Sequence, residues 1–159
     1  NGIEIDEIRS LPVPENLHLA LVSPDVLVPT AEARAVLPDR VTLKAMIAQT
    51  GAIAQLIDAL YRGDIEAMAA AMERDGIVEP ARAHLMPLLA EIRAAAKRAG
   101  AMALVISGAG PTLCAVCDDP SVAETVATAM HDTYANAKIK SDARATQVDQ
   151  QGARILKIE

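Results

Sequence analysis

Ser107-Gly108-Ala109-Gly110-Pro111-Thr112 joins two short apolar runs, Met102-Ala103-Leu104-Val105-Ile106 before it and Leu113-Cys114-Ala115-Val116-Cys117 after it. Runs of this length, bounded by glycine and proline, read as neighbouring strands. A plain hairpin needs only a two-residue turn such as Asn-Gly. Two glycines permit positive φ and leave bare backbone open to a ligand or a second loop, and Pro111 fixes the exit. Taken alone the segment reads as an ordinary wide hairpin.

Working outward, Leu17-His18-Leu19-Ala20-Leu21-Val22 reads as an earlier strand. Thr30 is placed to cap a short helix that runs to Leu37 and stops at Pro38. Ala45, Met46, Ile47, Ile53, Leu56, Ile57 and Leu60 predict a strongly apolar helix over residues 43–61, closed by Gly63. Asp64 then caps a shorter helix over residues 65–72. Pro80 opens a further helical stretch reaching Arg98, with Pro87 set to kink or divide it. Pro120 starts a helix carrying Val122, Val126 and Met130 on one face. Residues 143–148 and 153–158 read as closing strands, separated by a turn at Gln151-Gly152. Setting aside residues 3–9, which alternate like a half-buried strand, the order is strand, helices, strand, strand, helix, strand. That order predicts an α+β domain, a ferredoxin-like split βαβ two-layer sandwich with extra helices in the first crossover. Residues 1–16 read as a connecting strand and linker, and residues 17–159 as the domain.

The order strand, SGAGPT, strand, helix resembles the third motif of the GHMP kinases. A second segment, Val22-Ser-Pro-Asp-Val-Leu-Val-Pro-Thr-Ala-Glu-Ala-Arg-Ala-Val-Leu-Pro38, is similar to the homoserine kinase family among them. Glu79-Pro80-Ala81-Arg82 and Gly152-Ala153-Arg154 fit at the same relative positions. The resemblance covers nearly the whole chain and matches the GHMP kinase C-terminal domain. The phosphate-binding Pro-x-x-x-Gly-Leu-Gly-Ser-Ser-Ala loop of such enzymes does not occur in the sequence. With the Asn1-Gly2 start, this reads as a C-terminal half; tag removal or unobserved residues are the alternatives.

The resemblance implies ATP-dependent phosphorylation of L-homoserine in threonine biosynthesis, in the cytoplasm. ATP and Mg²⁺ would be bound mainly by the N-terminal half, which also supplies the catalytic carboxylate and metal ligands. No catalytic residue and no metal ligand is then expected here, and the fragment alone is expected to be inactive. Planar guanidinium groups engage a carboxylate bidentately. Arg34 and Arg82 accordingly stand as the substrate-binding residues for the homoserine α-carboxylate. Solvated charges paired with Glu32 and Glu79 are the plainer reading of both. Glu32 would otherwise orient Arg34 or cap its helix. Ser107, Gly108, Ala109, Gly110 and Thr112 carry over as the glycine-rich motif that supports the phosphate site. L-homoserine, the N-terminal half and a second copy, as a homodimer, are the expected partners. A free-standing ferredoxin-like module that senses a small amino acid remains an alternative, as does the C-terminal domain of another GHMP kinase.

Composition sets the remaining limits. The chain has 159 residues, suits one domain and is 52% hydrophobic, ample for a core. Without Phe or Trp, that core is expected to consist of Ala, Leu, Val, Ile and Met. A net charge of −6 with no Lys/Arg cluster argues against nucleic acid, and no apolar run reaches membrane-spanning length. Cys114 and Cys117 have C-x-x-C spacing, but on a strand residues three apart face opposite ways. They read as buried free thiols in a reducing compartment. His84 and His131 lack metal-ligand spacing and read as structural or exposed.

Overall fold

In the computed structural model, residues 10–155 are described. Four strands, β1 (His18–Pro24), β2 (Ala103–Ile106), β3 (Leu113–Cys117) and β4 (Ser141–Thr146), form one sheet in the order β2-β3-β1-β4. Every neighbouring pair is antiparallel. This is the ferredoxin-like order expected from the sequence. The first crossover holds α1 (Thr30–Ala35), α2 (Leu43–Arg62), α3 (Ile65–Met72), α4 (Val78–Arg82), a 3₁₀ turn (Ala83–Leu85) and α5 (Leu89–Arg98). Between β3 and β4 runs α6 (Pro120–Asn136).

One sheet face turns Ala20, Val22, Leu104, Leu113, Ala115 and Cys117 onto Ile92 of α5 and Val126, Met130 and Tyr134 of α6. On the other face, Leu17, Ala103 and Val116 meet Ala59, Ile65 and Met68. The α2–α3 pair therefore covers part of the second face, and the two-layer sandwich gains a partial third layer. The core also takes in an aromatic ring: Tyr134 is fully buried, against the expectation of a purely aliphatic interior. Its hydroxyl donates to Pro87 O at 3.0 Å, so its polar tip is satisfied while the ring fills space.

Local chemistry sets the boundaries. Asp64 Oδ1 accepts from Ala67 N–H and starts α3 as predicted, after Gly63 closes α2 in a left-handed conformation. Thr30, expected as a cap, is instead the first residue of α1; Pro29 holds the cap position and makes no side-chain bond. The next helix opens at Val78, two residues before Pro80. There the Asp75 carboxylate takes the N–H groups of Ile77, Val78 and Glu79. Pro87 divides the stretch that follows, and Leu88 takes a positive φ of 57°. β4 lies two residues earlier than predicted. Among the described residues of the last expected strand, 153–155 are not in a strand, and the rest lies outside them. The strand expected over residues 3–9 also lies outside the described residues.

β2 is an edge strand, and side chains close its outer edge. Leu104 N–H donates to Glu73 Oε1 at 2.9 Å, Leu104 O accepts from Arg93 Nη2 at 3.2 Å, and Met102 O accepts from Lys97 Nζ at 2.6 Å. With these groups of Met102 and Leu104 occupied, this part of the edge is not a template for another strand.

Both cysteines are free, Cys117 buried and Cys114 half-buried. Burial pushes both thiols up to about 11; for Cys117, Asp118 and Cys114 add to the effect. Burial likewise pushes Tyr134 to about 12. As pH rises past 9, unfolded thiols lose protons while folded ones keep theirs. The unfolded state then binds fewer protons, so stability is expected to fall with pH until about 11. Urea midpoints measured at about pH 8 and about pH 10.5 check this. Equal midpoints would mean that the thiols titrate as in water.

Candidate functional site

β1 ends at Ser23 and Pro24, beside the exit of the SGAGPT loop. Ser23 Oγ and Thr112 Oγ1 are 2.8 Å apart, a hydrogen bond that pins the loop to the central strand. Within the loop, Ser107 N–H donates to Thr112 O at 2.9 Å, and Gly110 N–H donates to Ser107 O at 3.0 Å. The N–H groups of Gly108 and Ala109 have no backbone partner among the described residues. Gly108 is exposed, with φ of 61° and no atom within 4 Å of a β-carbon built on it. Gly110 is different. Its φ is 84°, and a β-carbon there would overlap Met86 Cε and come 2.5 Å from Met86 Sδ. Met86 is buried, so the loop's inner side rests on the α4–α5 junction while its outer side is open.

Arg82, the last residue of α4, is half-buried and reaches two separate segments. Its Nε donates to Ala33 O and its Nη1 to Gly108 O, both at 2.9 Å. One guanidinium thereby binds α1 to the loop. Arg34, the next residue after Ala33, is exposed on α1 and makes no side-chain hydrogen bond or ion pair among the described residues. The structure thus brings Arg82 against Gly108 and sets Arg34 one residue along α1 from the carbonyl that Arg82 holds. Neither acidic pairing weighed from the sequence forms among these residues. Glu79 Oε1 takes Arg93 Nη2 at 2.5 Å instead of Arg82, and Glu32 neither holds Arg34 nor caps α1.

Beside Arg82 is a small cavity of about 60 Å³, lined by Asp75, Glu79, Gly108 and neighbouring apolar side chains. It has room for water rather than for an amino acid. A roomier cavity of about 730 Å³ begins at Ser23 and is walled by Asp25, His131, Lys138, Lys140 and Asp142. His131 is exposed there, its Nδ1 3.1 Å from Ser141 Oγ; His84 is also exposed. Among the described residues, no three His, Cys, Asp or Glu side chains gather as a metal site. Sequence reading missed Ser23, Met86 and Arg93 as parts of the site's frame. No local signal marks them, because their partners are remote in the chain.

Comparison with known proteins is consistent across sequence and structure. Residues 56–136 match the family model of the GHMP kinases C-terminal domain. A homoserine kinase of Chloroherpeton thalassium is 36% identical over 95% of this chain, which spans 48% of that relative. One from Chlorobium phaeobacteroides is 36% identical over 94% of the chain and 47% of the relative. The crystal structure of a homoserine kinase from Cytophaga hutchinsonii superposes with a TM-score of 0.88 at 36% identity. It matches 92% of this chain and 46% of that one. The chain therefore spans about half the length of the curated relatives it matches.

Proposed function

The chain belongs to the GHMP kinase family, and we propose that it is the C-terminal half of an enzyme that phosphorylates L-homoserine on its hydroxyl. The observation that carries this reading is the Arg82 bridge, which joins Arg34-bearing α1 and the SGAGPT loop into one wall. Arg34, exposed and unengaged among the described residues, is placed to take the amino-acid carboxylate. Arg82 spends two donors on backbone and keeps its remaining N–H groups for the same anion. The inner side of the loop, resting on Met86, keeps its outer side in place. Gly108 and Ala109 then face the phosphate-binding loop of the N-terminal half.

When bound, ATP with Mg²⁺ supplies the phosphoryl group and neutralises its charge. The carboxylates of the metal site belong to the N-terminal half in this reading, as does most of the nucleotide contact. The residues of this chain hold the acceptor and shape the wall around it. We assign the product to threonine biosynthesis, place the enzyme in the cytoplasm, and take it to act as a homodimer. An amino-acid-sensing module would use the same arginines but would give the open SGAGPT face no partner.

The test is turnover of homoserine by the full-length protein with ATP and Mg²⁺, with mevalonate and galactose as competing acceptors. Homoserine is expected to be strongly preferred, and the 159-residue chain alone to give no turnover above background. Preference for another acceptor would replace homoserine within the same family. Turnover by the isolated chain would refute the assignment of the nucleotide site to the other half.

A further inference from the structure

A continuous apolar stripe on α2 is left uncovered. At about 100° per residue, Leu43, Met46, Ile47, Ile53, Ile57 and Tyr61 fall on one side of this 20-residue helix. Leu43 is 68% exposed, Ile47 61% and Tyr61 67%. The opposite side, with Ala52 and Ala59, is the one buried in the domain, so the stripe points away from both sheet and loop. It runs about 27 Å at 1.5 Å per residue. Its six side chains offer on the order of 700 Å² per copy, close to the 800 Å² per partner of a stable interface.

We propose that this stripe is the contact between two copies of the chain, with their α2 helices packed antiparallel about Gly51. About the neighbouring position 52, Leu43 falls opposite Tyr61 and Ile47 opposite Ile57, the near self-complementarity that an isologous two-fold contact requires. Thr50 and Ala54 are small and lie at the stripe's middle, Gly51 sits on its flank, and nothing stands within 4 Å of a β-carbon built on Gly51. Two backbones can therefore approach closely at the crossing. Lys44 and Asp58 sit at equal distances before and after Gly51 on one flank of the helix. An antiparallel pair sets Lys44 opposite the partner subunit's Asp58, where it joins the Arg62–Asp58 ion pair of 2.9 Å. A parallel two-fold pair would put the two copies of this flank on opposite sides of the contact, where Lys44 could not meet Asp58. The apolar surface and the charge order thus select the same geometry.

The proposal rests on the homodimer reading and is independent of the kinase reading. The test is sedimentation velocity of the full-length protein at micromolar concentration. Wild type is expected as a dimer, and Ile47→Glu with Ile57→Glu as a folded monomer, with dimer affinity at least about 100-fold weaker. Lys44→Asp and Asp58→Lys should each weaken the dimer, and the two together should restore it. A monomeric wild type overturns the homodimer reading itself, with the stripe then covered by the other half of the protein. A dimer that withstands the glutamates overturns this surface only. If the glutamate variant does not fold, the charge exchange decides: failure of the double variant to recover the dimer overturns the proposal.

Discussion

Replacing Arg82 with alanine in the full-length protein is expected to raise the homoserine KM roughly 30- to several-thousand-fold and to lower Tm as well. Arg34→Ala should raise KM comparably and leave Tm unchanged. The difference follows from what each guanidinium touches. Arg34 is exposed and holds no described neighbour, so its removal takes away only a partner for the substrate carboxylate. Arg82 holds Ala33 O and Gly108 O, and losing it releases α1 from the loop. A hydrogen bond from a charged donor contributes about 1.5–3 kcal/mol when well desolvated, and less at this half-buried site. A domain of this size moves about 2–4 °C per kcal/mol, so a fall of several degrees is expected. Lysine at position 82 can reach one carbonyl but not both, and should recover little. Unchanged KM in both alanine variants would return the two arginines to the solvated surface. A fall in Tm and kcat with KM intact for Arg82→Ala would make it a frame residue, leaving the carboxylate to Arg34.

The elements legible in the sequence are those whose ends are fixed by nearby residues. Gly63 and Asp64 mark the boundary between α2 and α3, Pro120 starts α6, and β3 begins where SGAGPT ends. β4 was legible as a strand but not in its limits. Ser141-Asp142-Ala143-Arg144-Ala145-Thr146 has only the weak alternation of two alanines, and its place is set by pairing with β1, Ser141 against Pro24 and Thr146 against Leu19. The start of α4 depends on the side chain of Asp75, whose carboxylate outweighs the preference of Pro80 for an early helical position. The apolar residues of α2 gave its helix correctly, yet much of that surface is exposed rather than core. The candidate site residues come from motifs, while their geometry was not legible. Arg82 meets Ala33 across 49 positions and Gly108 across 26, and Ser23 meets Thr112 across 89. Contacts that distant are products of the sheet order and leave no periodicity behind.

Within the glycine-rich motif, Gly110→Ala is expected to be the most damaging change to stability, with Tm falling by on the order of 10 °C. Two effects add. A side chain at φ of 84° carries backbone strain of about 1–3 kcal/mol. The new methyl would also overlap the end of Met86, buried beneath the loop, and overpacking of this kind costs about 1–3 kcal/mol. Methionine is adaptable, so the overlap is relieved if the neighbouring side chains allow its thioether to turn. The second effect can be isolated with Met86→Ala, which by itself leaves a cavity and costs about 2–5 kcal/mol. In the double variant the methyl introduced by Gly110→Ala occupies space that the Met86 side chain has vacated. The pair should therefore be less destabilised than the two single costs combined, by about 0.5–3 kcal/mol. Strictly additive costs in urea denaturation would show that Met86 does not support the loop. Gly108→Val supplies the contrast: its β-carbon meets nothing in this domain, so only the strain at φ of 61° opposes folding. If the open side of the loop receives the phosphate-binding loop of the other half, Gly108→Val should lose kcat on the order of 100-fold with a smaller fall in Tm than Gly110→Ala. Normal kcat in folded Gly108→Val would make SGAGPT an ordinary hairpin whose conformation is set only by Gly110 and Met86.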